Sequence, residues 1–403
     1  MTVYNYKARD SKGSAVKGAM EAPSVDELSL KLHKMGYMPV QIKAVNKFPD
    51  LEFSFIPNRI STEDKIMFYL QLSNLINSGI SIMSALNILS KQIENRRLRS
   101  AILSVARSIE SGESFSAALS GHPRIFSRLM ISMARAGEAS GKLGAILARF
   151  AEYTEKQAEL SQKIKGALFY PALLLCAGVA VIMLIVTFLI PQFTQIFLKA
   201  GIKLPLATLI LYNFGMFIKN YWLSVIFILV FIYFVVKYSI DTAVGALAWD
   251  TLKLKLPVVG VLYLRALVVR FARTFSTLAA SGVPILESLN ILRDVIGNKR
   301  MAQVIDNARF SVERGERISD SFRLASDFPG DAVHMIAVGE ETGDIDGMLK
   351  KIADIYEMYL GYSIKKLTVI IEPLFLVIMG GMVGLIMLSM LLPIFDMIKI
   401  LRH

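Results

Sequence analysis

One segment of this 403-residue chain, residues 137–142 with the sequence GEASGK, resembles a phosphate-binding loop. A true loop of that kind has four residues between its glycines and a Ser or Thr after the lysine, which place backbone amides and a magnesium ligand. Here three residues separate the glycines, and Leu143 follows the lysine. We therefore interpret the segment as a tight connection between two helices. Its Glu138, like Glu340 in a similar later segment, is available for a helix cap or for contact with a partner.

The other residues with reactive side chains do not form a catalytic set. Glu152 and Glu155 lie three residues apart on a predicted helix and could bind a hard cation together with Glu94, although a solvated helix face explains the same pattern. The four histidines lack the spacing of metal ligands, and the single cysteine, Cys176, excludes a disulfide within one chain. We predict a protein that is not an enzyme, with no cofactor, no metal site and no nucleic-acid partner.

The elements that position these residues occur twice in the chain. An offset of 203 sets residues 78–80 (SGI) on residues 281–283 (SGV). After a one-residue deletion, an offset of 202 sets residues 137–141 on residues 339–343. A repeat of this length is typical of a duplicated structural module. The same offset aligns two pairs of prolines, Pro171 with Pro373 and Pro191 with Pro393.

Long uncharged runs predict three membrane-spanning helices in a chain whose mean hydropathy is +0.50. Residues 168–190 and 373–395 each form a run of 23 residues without a charge, which is long enough to cross a hydrocarbon core of about 30 Å. A shorter run lies between Lys219 and Lys237. We place the three spans at residues 167–190, 220–237 and 367–395.

Four residues in these spans are candidates for packing between membrane helices. Pro171 and Pro373 lie near the start of their spans, where a proline costs little or introduces a bend. Gly380 and Gly384 have the small-xxx-small spacing that lets two membrane helices approach closely. Such packing can occur within the chain or between protomers.

The segments outside the spans predict two helical bundles and one small module. Residues 58–166 and 262–366 have apolar residues at helical spacing, and residues 1–54 have the pattern of a small α/β unit. Because two spans separate the bundles, both lie on the same side of the membrane. Basic residues before the first and third spans, and the lack of a predicted signal peptide, favour the cytoplasm. The predicted fold class is an all-α membrane protein with two homologous cytoplasmic helical bundles, three transmembrane helices and a small N-terminal α/β module.

The net charge of +12 is unevenly distributed between the two repeats. Residues 55–166 carry 15 basic and 9 acidic side chains, whereas residues 238–366 carry 16 of each. An acidic partner or anionic lipid headgroups could use this difference, although a solvated basic face beside a membrane also explains it. We expect Arg96, Arg97 and Arg99 to contact such a partner.

These features together resemble the type II secretion protein F / type IV pilus platform family of bacterial inner-membrane proteins. The resemblance covers essentially the whole chain. It rests on the Tyr4-x-Tyr6-x-Ala8 opening, the paired Ser-Gly helix ends, the paired Gly-Glu-x-[Ser/Thr]-Gly turns, and Tyr170-Pro171 and Glu372-Pro373 at the entry to two spans.

The resemblance implies a membrane platform that self-associates into a homo-oligomer. In that family the platform contacts a cytoplasmic hexameric assembly ATPase and other inner-membrane assembly proteins. It couples the motion of the ATPase to the lifting of pilin or pseudopilin subunits out of the bilayer. Membrane lipids are a further expected partner. A small membrane transporter is the alternative, but three spans offer few groups to coordinate a solute.

Overall fold

The computed structural model describes residues 2–9, 15–44, 60–199, 205–325 and 327–401 of the chain. It divides the chain into two compact units, Met1–Arg59 and Ile60–His403. The predicted end of the N-terminal module at residue 54 lies outside the described residues.

The N-terminal unit is a three-stranded antiparallel sheet with one helix. The sheet order is β2 (Ala15–Ala22), β1 (Thr2–Arg9) and β3 (Met38–Ala44). Helix α1 (Val25–Lys34) begins where the Ser24 hydroxyl accepts a hydrogen bond from the Glu27 amide at 3.2 Å, as an N-cap. Leu28 and Leu32 of the helix are fully buried against the sheet together with Tyr4.

The first repeat is a bundle of six helices. Its core is one cluster of buried apolar side chains, including Phe68, Leu72 and Leu147. Small polar residues cap the first five of these helices, and Ser61 with Asp64 forms a complete capping box. The helices are α2 (Thr62–Asn77), α3 (Ile82–Gln92), α4 (Arg96–Glu110), α5 (Phe115–Ser120), α6 (Arg128–Ser140) and α7 (Leu143–Leu184).

The second repeat also has six helices, and five of them begin at the positions that the sequence offsets predict, whereas the first begins six residues earlier, at Val259. Gly79 and Gly282, which follow equivalent helices, both have positive φ, at 84° and 76°, as a helix-ending glycine requires. The core of this bundle again centres on phenylalanines, among them Phe271 and Phe275. The helices are α11 (Val259–Ala280), α12 (Ile285–Val295), α13 (Lys299–Glu313), α14 (Ile318–Arg323), α15 (Gly330–Thr342) and α16 (Ile345–Leu401).

Among the described residues, three helices are long and apolar enough to cross a membrane, as predicted: Leu143–Lys199, Thr208–Asp241 and Ile345–Ser389. In the first, α7 is followed by a π-helical turn (Ile185–Leu189) and by α8 (Ile190–Lys199). The second, α9 (Leu206–Asp241), is longer than the predicted stretch 220–237 and contains a kink at Tyr221. A short helix, α10 (Ala243–Lys255), connects α9 to the second bundle.

The long helices α7 and α16 each belong both to a bundle and to a span. Leu147 of α7 and Leu349 of α16 are fully buried in the bundle cores, and the same helices continue into the apolar runs. Each bundle is therefore joined to a membrane helix without an intervening loop.

Candidate partner-binding site

Two equivalent glutamates cap two equivalent short helices. The Glu138 carboxylate, on α6, accepts hydrogen bonds from the Phe115 amide at 2.5 Å, from the Ser116 amide at 3.2 Å and from the Ser116 hydroxyl at 2.6 Å. These groups lie at the start of α5. In the second repeat, the Glu340 carboxylate on α15 accepts from the Ile318 and Ser319 amides at 2.6 and 2.9 Å, at the start of α14.

The two caps connect neighbouring helices within each bundle. Unpaired amides and a partial positive charge at a helix start favour a carboxylate there. The tight turn that follows each glutamate ends in a glycine with left-handed backbone, Gly141 at φ 67° and Gly343 at φ 75°. Of the two roles that the sequence left open for Glu138 and Glu340, the observed hydrogen bonds support the helix cap. Contact with a partner stays a prediction.

The predicted arginine cluster lies in the first turn of α4. Asn95 caps this helix by accepting from the Arg97 and Leu98 amides at 3.1 and 3.2 Å. The Arg99 guanidinium donates to the Ile93 carbonyl oxygen from Nε at 2.8 Å and from Nη2 at 2.5 Å. Arg96 and Arg97 are exposed. Three cations at the positive end of a helix dipole do not favour the helix itself. Contact of Arg96, Arg97 and Arg99 with a partner stays a prediction.

The second repeat shows which kind of group fits such a helix end. Positions 298–300 are equivalent to positions 95–97 at the offset of 203. The buried carboxylate of Asp250, from α10, accepts a hydrogen bond from the Lys299 amide at 2.7 Å. The Asn298 side chain donates to the Asp250 carbonyl oxygen at 3.3 Å, and Arg300 pairs with Asp327 at 2.7 Å. Carboxylates therefore meet the equivalent basic helix end in the second repeat.

The candidate cation ligands are not brought together. No group of three or more His, Cys, Asp or Glu side chains converges as a metal site among the described residues. Glu152 lines a cleft of about 250 Å³ between α7, α11 and α16, where the basic residues Arg149, Lys156 and Lys350 also lie. Glu94 lies between α3 and α4, away from that cleft lining.

The two repeats pack directly against each other. Leu278 and Val283 of the second repeat are buried in the core of the first. Polar contacts cross the same boundary: Arg128 pairs with Asp294, Tyr153 and Thr274 share a hydrogen bond at 3.0 Å, and Lys163 pairs with Glu357 at 3.2 Å. Burial raises the pKa of the Tyr153 phenol, which therefore stays neutral at this interface.

Two close contacts between spans involve glycines that no sequence pattern singled out. A Cβ atom on Gly178 would lie 2.7 Å from the Phe375 ring, and one on Gly215 would lie 2.1 Å from the Val186 carbonyl oxygen. A Cβ atom on Gly380 or Gly384 would have no neighbour within 4 Å among the described residues. Pro171 is buried and Pro373 is exposed. Packing of Gly380 and Gly384 against a second protomer stays a prediction.

A hydrogen-bonded pair also joins the second and third spans. The Thr208 hydroxyl donates to the Ser389 carbonyl oxygen at 2.7 Å, and the Ser389 hydroxyl donates to Thr208 Oγ1 at 2.8 Å. Both side chains are buried. Small-residue spacing does not reveal Gly178, Gly215 or this pair, because each depends on which helix lies opposite.

Comparison with known proteins identifies the family. The family described as "Type II secretion system (T2SS), protein F" matches residues 68–191 and 271–393, one match to each repeat with its span. The N-terminal domain of the same family matches residues 1–43. The chain belongs to the type II secretion system protein F family. This family consists of structural secretion or pilus proteins and is not a known enzyme family.

Relatives from both kinds of machine match almost the full chain. The type IV pilus assembly protein PilC of Thermus thermophilus is 36% identical over 403 residues, covering 99% of this chain and 98% of the relative. The type II secretion system protein F of Xanthomonas campestris is 32% identical, with 98% and 99% covered. PilC of Pseudomonas aeruginosa is 30% identical, with 91% and 97% covered. Family membership and three apolar helices together indicate an inner-membrane protein.

Proposed function

We propose that this protein is the inner-membrane platform of a type IV pilus or type II secretion machine, with both helical bundles in the cytoplasm. The platform binds a cytoplasmic hexameric assembly ATPase and couples its motion to the extraction and polymerisation of pilin or pseudopilin subunits. It does so as a homo-oligomer, alongside other inner-membrane assembly proteins. The observation that carries the proposal is the full-length match to relatives named as pilus assembly and secretion proteins.

The way the bundles join the spans supports mechanical coupling. Helices α7 and α16 run from the bundle cores into the membrane without a loop, so a displacement of a bundle is passed to its span. Contacts between the repeats, such as Lys163 with Glu357, make the two bundles move together. Force applied to either bundle therefore reaches both the first and the third span.

The basic start of α4 is the proposed contact with the ATPase. Arg96, Arg97 and Arg99 lie in one helical turn, in the more basic of the two repeats. At the equivalent helix start of the second repeat, the carboxylates of Asp250 and Asp327 meet the Lys299 amide and Arg300. An acidic surface on the ATPase would be complementary to the positive charge at the start of α4.

A crosslinking pull-down from native inner membrane tests the role. Tagged protein is expected to recover a secretion ATPase and pilin-like subunits, and the pilins would identify the machine. Recovery of neither, from protein that is folded and inserted, would contradict the platform role.

A triple charge reversal then tests the contact. Arg96→Glu, Arg97→Glu and Arg99→Glu together are expected to abolish recovery of the ATPase while pilin-like subunits are still recovered. The matched control, Arg107→Glu, Arg124→Glu and Arg135→Glu, changes the net charge of the same bundle equally at three exposed positions and should keep the ATPase. Undiminished recovery by the first variant would show that the ATPase binds elsewhere.

A further inference from the structure

Helix α10 follows the second span with almost no linker. Helix α9 ends at Asp241, and Thr242 caps α10 by accepting a hydrogen bond from the Gly245 amide at 3.1 Å. Because one residue separates the two helices, α10 must lie close to the point where α9 leaves the membrane. The start of α10 is therefore at the membrane surface.

One face of α10 is occupied by the second bundle. Asp250 is buried there and accepts from the Lys299 amide, while Lys253 donates to Asp250 at 2.9 Å. These contacts fix the rotation of α10 about its axis. The opposite face is consequently also fixed, and it points away from the bundle.

That outer face is apolar. Val244, Ala248, Leu252 and Leu256 recur every four residues, which places them in one stripe along the helix. Val244 is 79% exposed and Leu252 is 49% exposed, and Trp249 is exposed at the edge of the stripe. Removing apolar surface from water is favourable by about 25 cal/mol per Å². The stripe is therefore more stable in an apolar environment than in water.

The register of two neighbouring helices gives an independent measure of depth. Helices α11 and α16 run antiparallel: the Ser276 hydroxyl donates to the Asp346 carbonyl, and Arg265 donates to the Tyr359 carbonyl at 3.1 Å and also contacts Ser363. Val259 lies six residues before Arg265. Because the two helices are antiparallel and rise equally per residue, Val259 is level with about residue 367 of α16. Residue 367 is the first residue of the predicted third span and directly follows Lys365 and Lys366.

The turn between α10 and α11 presents more apolar side chains at that depth. Val258 has φ 66° and ψ −57°, and the Val259 amide donates to the Pro257 carbonyl at 2.7 Å, which together define a γ-turn with positive φ. Such a conformation is strained for a β-branched residue, at a cost of order 1–3 kcal/mol. The turn leaves Val258 and Val261 more than half exposed.

We propose that α10 and this turn form a lipid-docking surface at the boundary between headgroups and acyl chains. The surface, here called the interfacial corner, comprises Val244, Trp249, Leu252, Leu256, Val258 and Val261. Tryptophan suits this depth because its ring is apolar and its N–H is polar. Lys253 and Lys255 lie in the last turn of α10, and the exposed Lys255 can attract anionic headgroups beside the apolar side chains. The interfacial corner holds the second bundle at a fixed height above the bilayer.

Trp249 is a built-in reporter for this proposal because the chain has only two tryptophans. Trp222→Phe removes the other one, which lies in the second span. The full-length variant is reconstituted at low protein-to-lipid ratio into phosphatidylcholine–phosphatidylglycerol vesicles with or without lipids brominated just below the headgroup. Trp249 is expected to lose roughly half its fluorescence to the brominated lipid, since interfacial helices lie about 5–10 Å into that boundary.

A matched control places the reporter away from the membrane. Trp222→Phe, Trp249→Phe and Lys351→Trp together leave one tryptophan at an exposed position of α16. That position lies 16 residues before residue 367, or about 24 Å along the helix. It should not be quenched. A second variant, Leu252→Glu in the Trp222→Phe background, should reduce quenching of Trp249, whereas Leu252→Met should not.

Three outcomes would overturn the proposal. If brominated lipid does not quench Trp249 and its emission wavelength is that of a water-exposed tryptophan, the interfacial corner faces solvent. If Trp249 is not quenched but its emission is shifted to shorter wavelength, protein covers the interfacial corner, for example a second copy of this chain. Equal quenching of Trp249 and of the tryptophan at position 351 would remove the depth argument. The ATPase contact is not involved, so failure here leaves the proposed function untouched.

Discussion

The two repeats share one helical skeleton but use charge differently. Five of the six equivalent helix pairs begin at equivalent positions, and Glu138 and Glu340 cap α5 and α14 in the same way. In the second repeat the charges pair within the chain, as in Arg273 with Asp354 and Arg300 with Asp327. The first repeat has an excess of six basic side chains over acidic ones. Duplication has therefore kept the elements that determine the fold and changed the surface available to partners.

The two repeats also differ where their spans meet an aligned proline. Pro191 has no amide hydrogen, and in the helix before it the Ile190 amide donates to the Ile185 carbonyl, five residues back, in a π-helical turn. Helix α16 passes through Pro393 without such a turn. The proline alone therefore does not produce the irregularity. In the first repeat the Val186 carbonyl faces Gly215 of the neighbouring span, and α9 contributes to the difference.

The largest effect is expected at Gly215. A methyl group there would lie 2.1 Å from the Val186 carbonyl oxygen, a backbone atom that cannot rotate away. Gly215→Ala should lower the free energy of unfolding by about 3 kcal/mol, because overpacking forces the backbone to shift. Thermal unfolding in detergent measures this change. Gly384→Ala is the control, since its methyl group would meet nothing within 4 Å, and it should change the stability by less than about 0.5 kcal/mol.

If Gly215→Ala had the same free energy of unfolding as wild type, the contact between the first two spans would be able to relax at little energetic cost. The π-helical turn would then need another cause. If Gly384→Ala were the more damaging substitution, the third span would have a neighbour of its own, and association of protomers through Gly380 and Gly384 would gain support.

The second prediction compares the two glutamate caps. Glu138→Gln keeps the shape but loses the charge, and its amide group cannot accept all three hydrogen bonds. We expect Glu138→Gln to lower the free energy of unfolding by about 2 kcal/mol. Glu340→Gln should lower it by about 1 kcal/mol, because the native Glu340 carboxylate accepts hydrogen bonds from only two amides. Hydrogen exchange of the amides at the starts of α5 and α14 measures each effect locally. A larger loss of protection at α14 than at α5 would reverse this ranking.

The sequence predicted what the repeat and hydropathy could reveal. Periodicity and aligned glycines gave the helix ends, and uncharged runs gave three spans. The start of α9 at Leu206 was missed because Lys219 and Asn220 interrupt the apolar run, although the helix continues through them. Helix α10 was not recognised. Its apolar stripe is evident in the sequence, but its orientation depends on the contact of Asp250 with α13, which no local pattern contains.

The third prediction concerns a lysine with an apolar counterpart. Lys65 is aligned with the fully buried Val268 at the offset of 203. Its ammonium donates to the Ile125 carbonyl at 3.0 Å, and burial lowers its pKa from the usual value of 10.5. A lowered pKa in the folded state means that the unfolded state binds more protons between the two pKa values, so stability rises with pH in that alkaline range.

Lys65→Met should remove that alkaline rise. At neutral pH the lysine is charged in both states, and replacing it should alter stability by less than about 1 kcal/mol, because the lost hydrogen bond and the relieved burial of charge oppose each other. Urea unfolding between neutral and alkaline pH measures both quantities. Lys91→Met, at an exposed position of the same repeat, should keep the rise. A rise that persists in Lys65→Met would assign it to another group.

The smallest effect is expected from the charge pairs themselves. Arg300 and Asp327 are 40% and 28% exposed, so the ion pair contributes only about 0.5 kcal/mol and is screened by salt. Arg300→Gln should lose that amount at low salt and nothing at high salt. The aligned Arg97→Gln changes an exposed side chain, so it should stay within about 0.5 kcal/mol of wild type, and it should weaken recovery of the ATPase. Basic residues would then stabilise the fold in the second repeat and bind a partner in the first. A destabilised Arg97→Gln variant with full ATPase recovery would show that both repeats use these arginines for their own folding.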